Sequence, residues 1–205
     1  VFLNLFYGVL ANAAMGVANQ VNALLNTFLS SFTTSFNPQI IKSYASGERD
    51  YFMKLLYSTS KLSFLLMFAV AFPIMLNIDF LLRIWLVNPP EMAGDFLICI
   101  ACYSLFDSFS APLWNAVHAT GNLKVHQILM SSIKVLNIPL GYFLLYNGFP
   151  AYSILALYAG LNAVCSIVRV IYLRFLIGFE PLKYFIIRVA DLQVRRPFTS
   201  KEFAV

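Results

Sequence analysis

Charged residues are scarce in this sequence. Only 11% of the 205 residues are Asp, Glu, Lys or Arg, whereas 60% are hydrophobic; a soluble domain carries roughly 25% charged residues. So few charges cannot cover a surface that faces water, and an aromatic content of 16% would leave large apolar patches exposed. The composition excludes an ordinary soluble domain and predicts that lipid covers much of the surface.

Cysteines and catalytic motifs are also scarce. Three cysteines form no disulfide framework, and the pair Cys99 and Cys102 falls in an apolar stretch, where packing is favoured over redox chemistry. The sequence contains no phosphate-binding glycine loop and no H-E-x-x-H motif. Two histidines and one deep carboxylate make a poor catalytic site. We therefore expect no enzyme activity, no metal and no cofactor.

The first residues lack the features of a translation start or a signal peptide. The chain opens on Val1, with no initiator methionine and no basic region. The segment 1–8 is typical of the end of an earlier membrane span. We expect that the sequence begins inside a longer protein.

Five apolar stretches are long enough to cross a bilayer as helices, which takes about 20 residues. The predicted spans 1 to 5 cover residues 11–36, 55–76, 94–118, 125–146 and 151–173. Pro73, Pro112 and Pro139 fall inside spans 2, 3 and 4, where each frees a carbonyl and favours a kink. A short amphipathic segment, 78–87, is predicted to lie on the membrane interface. The sequence thus predicts an all-α polytopic transmembrane bundle.

Basic residues are distributed unevenly among the connectors. The connector after span 1 and its flank hold Lys42, Arg49, Lys54 and Lys61, and six further cations follow span 5 up to residue 201. The connector 147–150 holds none. Because basic connectors stay in the cytoplasm, the first connector and the polar tail 192–205 are predicted to be cytoplasmic. This topology and lipid headgroups account for the basic tail more simply than a nucleic-acid partner does.

One face of span 1 is polar along its whole length. Six side chains fall on it: Asn12, Asn19, Asn22, Asn26, Ser30 and Thr33. Such side chains either hydrogen-bond neighbouring helices or line a water-filled cavity. Helix association needs only one or two of them, so we favour the cavity wall.

Three later spans also carry polar faces. Asp107 in span 3 and Lys134 in span 4 fall about 16 and 13 Å from the connected ends of their helices, at roughly 1.5 Å per residue. We predict that they form an ion pair, or that they face one cavity and contact a substrate or a coupling ion. Arg169, near the end of span 5, either extends to the interface or binds an anionic phosphate.

A central cavity would give each of these helices a polar face. The residues predicted to line it, for a substrate or an ion, are Asn19, Asn22, Asn26, Asp107, Asn115, Lys134, Asn162 and Arg169.

Several segments resemble the polysaccharide flippases of lipopolysaccharide biosynthesis. The most specific parts are the stretch NPQIIKSY at 37–44 and the Ala119-Thr120-Gly121 turn, and the similarity continues through FLLRIWL at 80–86 and RVIYLRFLIG at 169–178. The resemblance covers roughly residues 3–189. These flippases belong to a larger group that includes the multidrug and toxic-compound extrusion (MATE) transporters.

The resemblance implies a two-lobed transporter that works by alternating access around a central cavity. Residues 1–191 would form part of its C-terminal lobe, and an N-terminal lobe would be missing. The substrate would be an oligosaccharide linked to a polyprenyl diphosphate, moved from the inner to the outer leaflet of the bacterial inner membrane. A diphosphate favours cations, so Lys134 and Arg169 are the candidates to contact it.

Three alternatives compete with this function. A cation-coupled multidrug antiporter of the same fold would line its cavity with acidic and aromatic groups; one deep acid and two cations favour an anionic substrate instead. A membrane transferase would need clustered carboxylates or histidines near an interface, which the sequence lacks. A non-transporting membrane subunit is the third, because the chain has less than half the expected length.

Overall fold

All regular elements of the computed structural model are helices in the residues that it describes, which are 2–86, 88–90 and 92–179. In chain order they are α1 (Phe2–Ala45), α2 (Arg49–Leu76), α3 (Ile78–Trp85), α4 (Ala93–Thr120), α5 (Leu123–Val135), α6 (Asn137–Tyr146) and α7 (Ser153–Ile177). The predicted polar tail, 192–205, lies outside the described residues. Of the six cations that follow span 5, only Arg174 is among the described residues.

Four helical segments are long and apolar enough to cross a membrane. They are Arg49–Leu76, Ala93–Thr120, Leu123–Tyr146, which joins α5 and α6, and Ser153–Ile177. The predicted all-α polytopic bundle is therefore confirmed. The predicted span 11–36 lies within α1, which is not among these four segments because asparagine, serine and threonine dilute its apolar residues. Its passage through the membrane stays a prediction.

The helix α4 is the centre of the bundle and packs against α1, α2 and α7. Small residues along it, among them Ala101, Ser104 and Ser108, are buried and let the neighbouring helices approach closely. As a result, 56% of its apolar window is buried, against 17% for α5 and α6 together. Polar residues on α4 consequently face other helices, whereas α5 and α6 form the edge of the bundle.

The predicted span 4 contains a break between α5 and α6. Helix α5 ends at Val135 and α6 starts at Asn137, two residues before Pro139. Proline has no N–H to donate, and its ring collides with the carbonyl four residues earlier, which belongs to Val135. By contrast, Pro73 and Pro112 lie inside the continuous helices α2 and α4.

The start of α2 is tied to the end of α7. Arg49 Nη2 donates a hydrogen bond of 2.7 Å to the carbonyl of Ile177, the last residue of α7. The next residue, Gly178, has a φ of 69° in the left-handed region, and a Cβ there would lie 2.8 Å from that Nη2 atom. The left-handed backbone therefore favours glycine at this position, and a larger residue would also displace the end of the Arg49 side chain.

Candidate functional site

A polar cleft lies between α1, α4, α5 and α7. It has two adjoining parts, of about 320 and 360 Å³, which share Thr33, Asp107 and Ala111. The part beside α1 is also lined by Asn26, Thr27, Leu29 and Ser30. The part beside α5 is also lined by Tyr103, Trp114, Asn115, Gln127, Met130, Ser131, Lys134 and Arg169.

The α1 wall of the polar cleft keeps its hydrogen bonds within one helix. Asn26 Nδ2 donates to Asn22 Oδ1 at 2.9 Å, and the buried Thr33 hydroxyl donates to the Leu29 carbonyl at 3.0 Å. Among the described residues, none of the six polar side chains on this face bonds a different helix. Asn26, Ser30 and Thr33 line the polar cleft, whereas the other three do not. The role of cavity wall for the whole face stays a prediction.

Arg169 is the cation held most firmly at the polar cleft. Its Nη1 donates to the carbonyl and the hydroxyl of Ser110, at 2.9 and 2.7 Å. Its Nε donates to His126 Nε2 at 3.4 Å, and its Cζ lies 5.7 Å from the centre of the Trp114 ring. These contacts hold Arg169 against α4 and α5, where it lines the polar cleft. Whether it binds a phosphate or extends to the membrane interface stays a prediction.

Asp107 and Lys134 share the polar cleft without forming an ion pair with each other in the described part of the chain. Lys134 is exposed to the cleft. The Asp107 carboxylate lies close enough to Arg169 for their charges to interact. Of the two predicted arrangements, the structure therefore has the shared cavity. Contact with a substrate or an ion stays a prediction.

The structure brings together five of the eight predicted site residues. These are Asn26, Asp107, Asn115, Lys134 and Arg169. The other three do not line the polar cleft. Asn19 is exposed on α1, and Asn22 accepts the hydrogen bond from Asn26. Asn162 is buried, and its Nδ2 donates to the Tyr103 carbonyl at 3.4 Å, which makes it a contact between α7 and α4.

Among the residues that the sequence does not predict for the site are four that line the polar cleft or hold Arg169: Tyr103, Ser110, Trp114 and His126. The first three lie on α4 at spacings of three, four or seven residues from Asp107, so helical periodicity places them on the Asp107 face. Two of them are aromatic and therefore do not stand out in an apolar helix. No comparable signal exists for His126, because its burial depends on how α5 packs against α4 and α7.

An apolar groove lies on another side of α1 from the polar cleft. It has a volume of about 400 Å³ and is lined by residues of α1, α2, α3 and α4, namely Val21, Leu24, Leu25, Phe28, Val70, Ile74, Ile78, Leu81, Leu82, Trp85 and Leu97. On α1, the groove residues and the cleft residues interleave between positions 21 and 33. Because successive residues of a helix point about 100° apart, the two sets lie on different sides of α1. On α4, Leu97 precedes Asp107 by about 15 Å at roughly 1.5 Å per residue.

The MatE family model matches residues 1–143 of the chain, from α1 into α6. No curated protein and no solved structure matches the chain. The matched residues include the α1 residues that line the polar cleft, together with Asp107, Asn115 and Lys134. Arg169 lies outside the matched range. Because the match covers more than half of the sequence, and four helical segments can cross a membrane, the chain is a multi-pass membrane protein that belongs to the MatE family of transporters.

Proposed function

We propose that the chain takes part in moving an oligosaccharide linked to a polyprenyl diphosphate across the bacterial inner membrane, from the inner to the outer leaflet. The observation that carries this proposal is the pair of cations, Lys134 and Arg169, in a polar cleft whose helices α1 and α4 also line the apolar groove. A substrate with an anionic head and a hydrocarbon tail has a counterpart in each.

The charges of the polar cleft support an anionic head group. Lys134 and Arg169 supply two positive charges and Asp107 one negative charge. A guanidinium group binds a phosphate through two parallel hydrogen bonds, whereas an ammonium group acts as a mobile point charge. Arg169 is fixed by three hydrogen bonds, and Lys134 is exposed, so a diphosphate would meet one rigid and one adaptable cation.

The apolar groove supports a substrate with a lipid tail. The groove runs beside α3 toward the chain end of α4 that is predicted to face outward, while the polar cleft lies deeper along α4. A lipid whose head enters from the inner leaflet points its tail toward the middle of the bilayer, and thus toward the groove. Each CH₂ group moved from water into an apolar site contributes about 0.8 kcal/mol. A hydrocarbon tail that moves from lipid into the groove gains far less, because lipid is already apolar. The groove would therefore mainly align the tail.

A second lobe completes the proposed transporter. The polar cleft would form one half of a site that lies between two lobes. The first connector and the tail are proposed to face the cytoplasm, and the surrounding bilayer covers the remaining apolar surface.

A multidrug antiporter of the same fold is the second candidate. Tyr103 and Trp114 line the polar cleft together with Asp107, and aromatic rings with a carboxylate bind lipophilic cations. The two candidates therefore differ in the sign of charge that the cleft prefers.

Binding measurements on the purified chain in lipid nanodiscs separate the two functions. We expect farnesyl diphosphate to bind at least tenfold more tightly than farnesol, since one hydrogen bond to a charged group contributes roughly 1.5–3 kcal/mol. Equal binding of the two would contradict the proposal. Tighter binding of tetraphenylphosphonium, lost in Asp107→Asn, would favour the antiporter.

A further inference from the structure

His126 is a fully buried histidine close to the start of α5. Its exposed fraction is 0%, and its ring lies between those of Trp114 and Tyr172, with centres 5.3 and 5.5 Å away. On its Nε2 side it meets Arg169, whose Nε lies 3.4 Å away. The ring therefore contacts α4, through Trp114, and α7, which carries both Tyr172 and Arg169.

The hydrogen bond with Arg169 fixes the protonation of the His126 ring. Arginine nitrogens only donate, so Nε2 must accept and carry no hydrogen. The single proton of the neutral ring then sits on Nδ1, which is buried and has no partner among the described residues. A doubly protonated ring would have no acceptor to offer and would place a second positive charge beside the guanidinium group.

The contacts of Arg169 use three of its five N–H groups. Ser110 accepts both hydrogens of Nη1 through its carbonyl and its hydroxyl, and His126 accepts the Nε hydrogen. Two N–H groups remain, both on Nη2, which has no protein partner in the part of the chain that the structure describes. Ser110 holds the Nη1 group and His126 holds Nε, and these two attachments block rotation of the guanidinium plane.

We propose that His126 is a positioning residue that orients Arg169, so that the Nη2 group is presented to the phosphate oxygens of an anionic ligand in the polar cleft. The role as it concerns the ligand rests on the proposed function; the orientation of Arg169 itself does not. An apolar ring would fill the space between Trp114 and Tyr172 without leaving a buried N–H unpaired, so packing alone does not account for a histidine here.

The tautomer of His126 tests the contact without any ligand. The chain has two histidines, so nitrogen NMR of the histidine-labelled protein in nanodiscs resolves two rings, and the signal lost in His126→Gln is that of His126. We expect the tautomer protonated on Nδ1, and a change of its signals in Arg169→Met. A ring protonated on Nε2, or signals that ignore Arg169→Met, would overturn the proposal.

Two substitutions then test the effect on ligand binding. His126→Gln places a carbonyl oxygen near the position of Nε2 and should bind farnesyl diphosphate within about threefold of the wild type, because a neutral acceptor is kept. His126→Phe keeps a planar ring but no acceptor, and should bind about tenfold more weakly. His118→Phe is the matched control: His118 is exposed, also packs against Trp114, edge to face, and has no hydrogen bond with Arg169 among the described residues.

The outcomes separate the positioning role from the proposed function. Wild-type binding of His126→Phe, or equal losses in the Gln and Phe variants at unchanged thermal stability, would refute the positioning role alone. If the His126→Phe variant does not fold, the Gln variant and the tautomer of His126 still test the positioning role. A Gln variant that folds but binds farnesyl diphosphate as poorly as Arg169→Met contradicts that role. A correct tautomer in a protein that binds no farnesyl diphosphate would instead refute the proposed function and leave the orientation of Arg169 standing.

Discussion

Polar side chains line both the contact between α4 and α7 and the cleft-facing side of α1, but their hydrogen bonds run in different directions. Successive turns of α7 each bond α4, through Tyr158, Asn162, Ser166 and Arg169. On α1, the hydrogen bonds of the polar face to other described residues all stay within the helix. Polar residues of α7 thus join two helices, whereas those of α1 are available to water and ligands.

The comparison shows that polarity alone does not identify a binding residue in a membrane helix. Asn162 and Asn26 are the same residue type, yet one is buried against the Tyr103 carbonyl and the other lines the polar cleft. Arg169 combines both functions, because it bonds Ser110 and also lines the polar cleft. Substitutions should therefore separate into those that affect stability, those that affect binding and one that affects both.

Arg169→Met is expected to have the largest effect. It removes three hydrogen bonds between helices, leaves the Ser110 and His126 acceptors unpaired, and takes away the rigid cation of the polar cleft. We expect farnesyl diphosphate binding to fall about 100-fold, from the loss of two charge-assisted hydrogen bonds of roughly 1.5 kcal/mol each, together with a lower thermal midpoint.

The control for this substitution is Arg174→Met on the same helix. Arg174 is exposed and lies outside the polar cleft, so its loss should change neither quantity appreciably. A similar fall in binding for both variants would mean that overall charge, and not the position of Arg169, attracts the ligand.

Asn162→Leu and Asn26→Leu should have opposite consequences. At Asn162 we expect a loss of about 1 kcal/mol in the free energy of unfolding and little change in binding, since one hydrogen bond between membrane helices contributes roughly 0.6–1.7 kcal/mol. At Asn26 the stability should change by less than that, while binding weakens because the polar wall becomes apolar.

Unfolding in mixed micelles and ligand titration in nanodiscs measure the two quantities. If Asn26→Leu proves the more destabilising substitution, the division between a joining helix and a lining helix does not hold.

Helical periodicity predicts which residues share a face of one helix, but it does not predict which other helix that face contacts. The approximate spans and the shared depth of Asp107 and Lys134 can be derived from rise per residue and hydropathy, because both are properties of a single helix. Which helix a polar face meets depends on packing between segments far apart in the sequence. For that reason Asn162 was assigned to the cavity although it bonds α4, and the contact between His126 and Arg169 was not foreseen.

Prolines also show that a local sequence signal does not by itself predict the structure of a helix. Pro73, Pro112 and Pro139 carry the same local signal, and only Pro139 coincides with a break between helices. Helix α4 is packed on several sides by its neighbours, which hold it in one piece around Pro112. The segment around Pro139 is at the edge of the bundle and has fewer contacts to oppose the break.

The smallest effect concerns Asp107 and Lys134, which line one cleft without an ion pair. In a double-mutant cycle with Asp107→Asn and Lys134→Met, their changes in stability should add within about 0.3–0.5 kcal/mol, as for residues that do not interact directly. The cycle that combines Asp107→Asn with Arg169→Met should show a larger coupling, because those two charges do interact. Equal couplings would leave Arg169 no more a partner of Asp107 than Lys134 is, and a larger coupling with Lys134 would make Lys134 the partner.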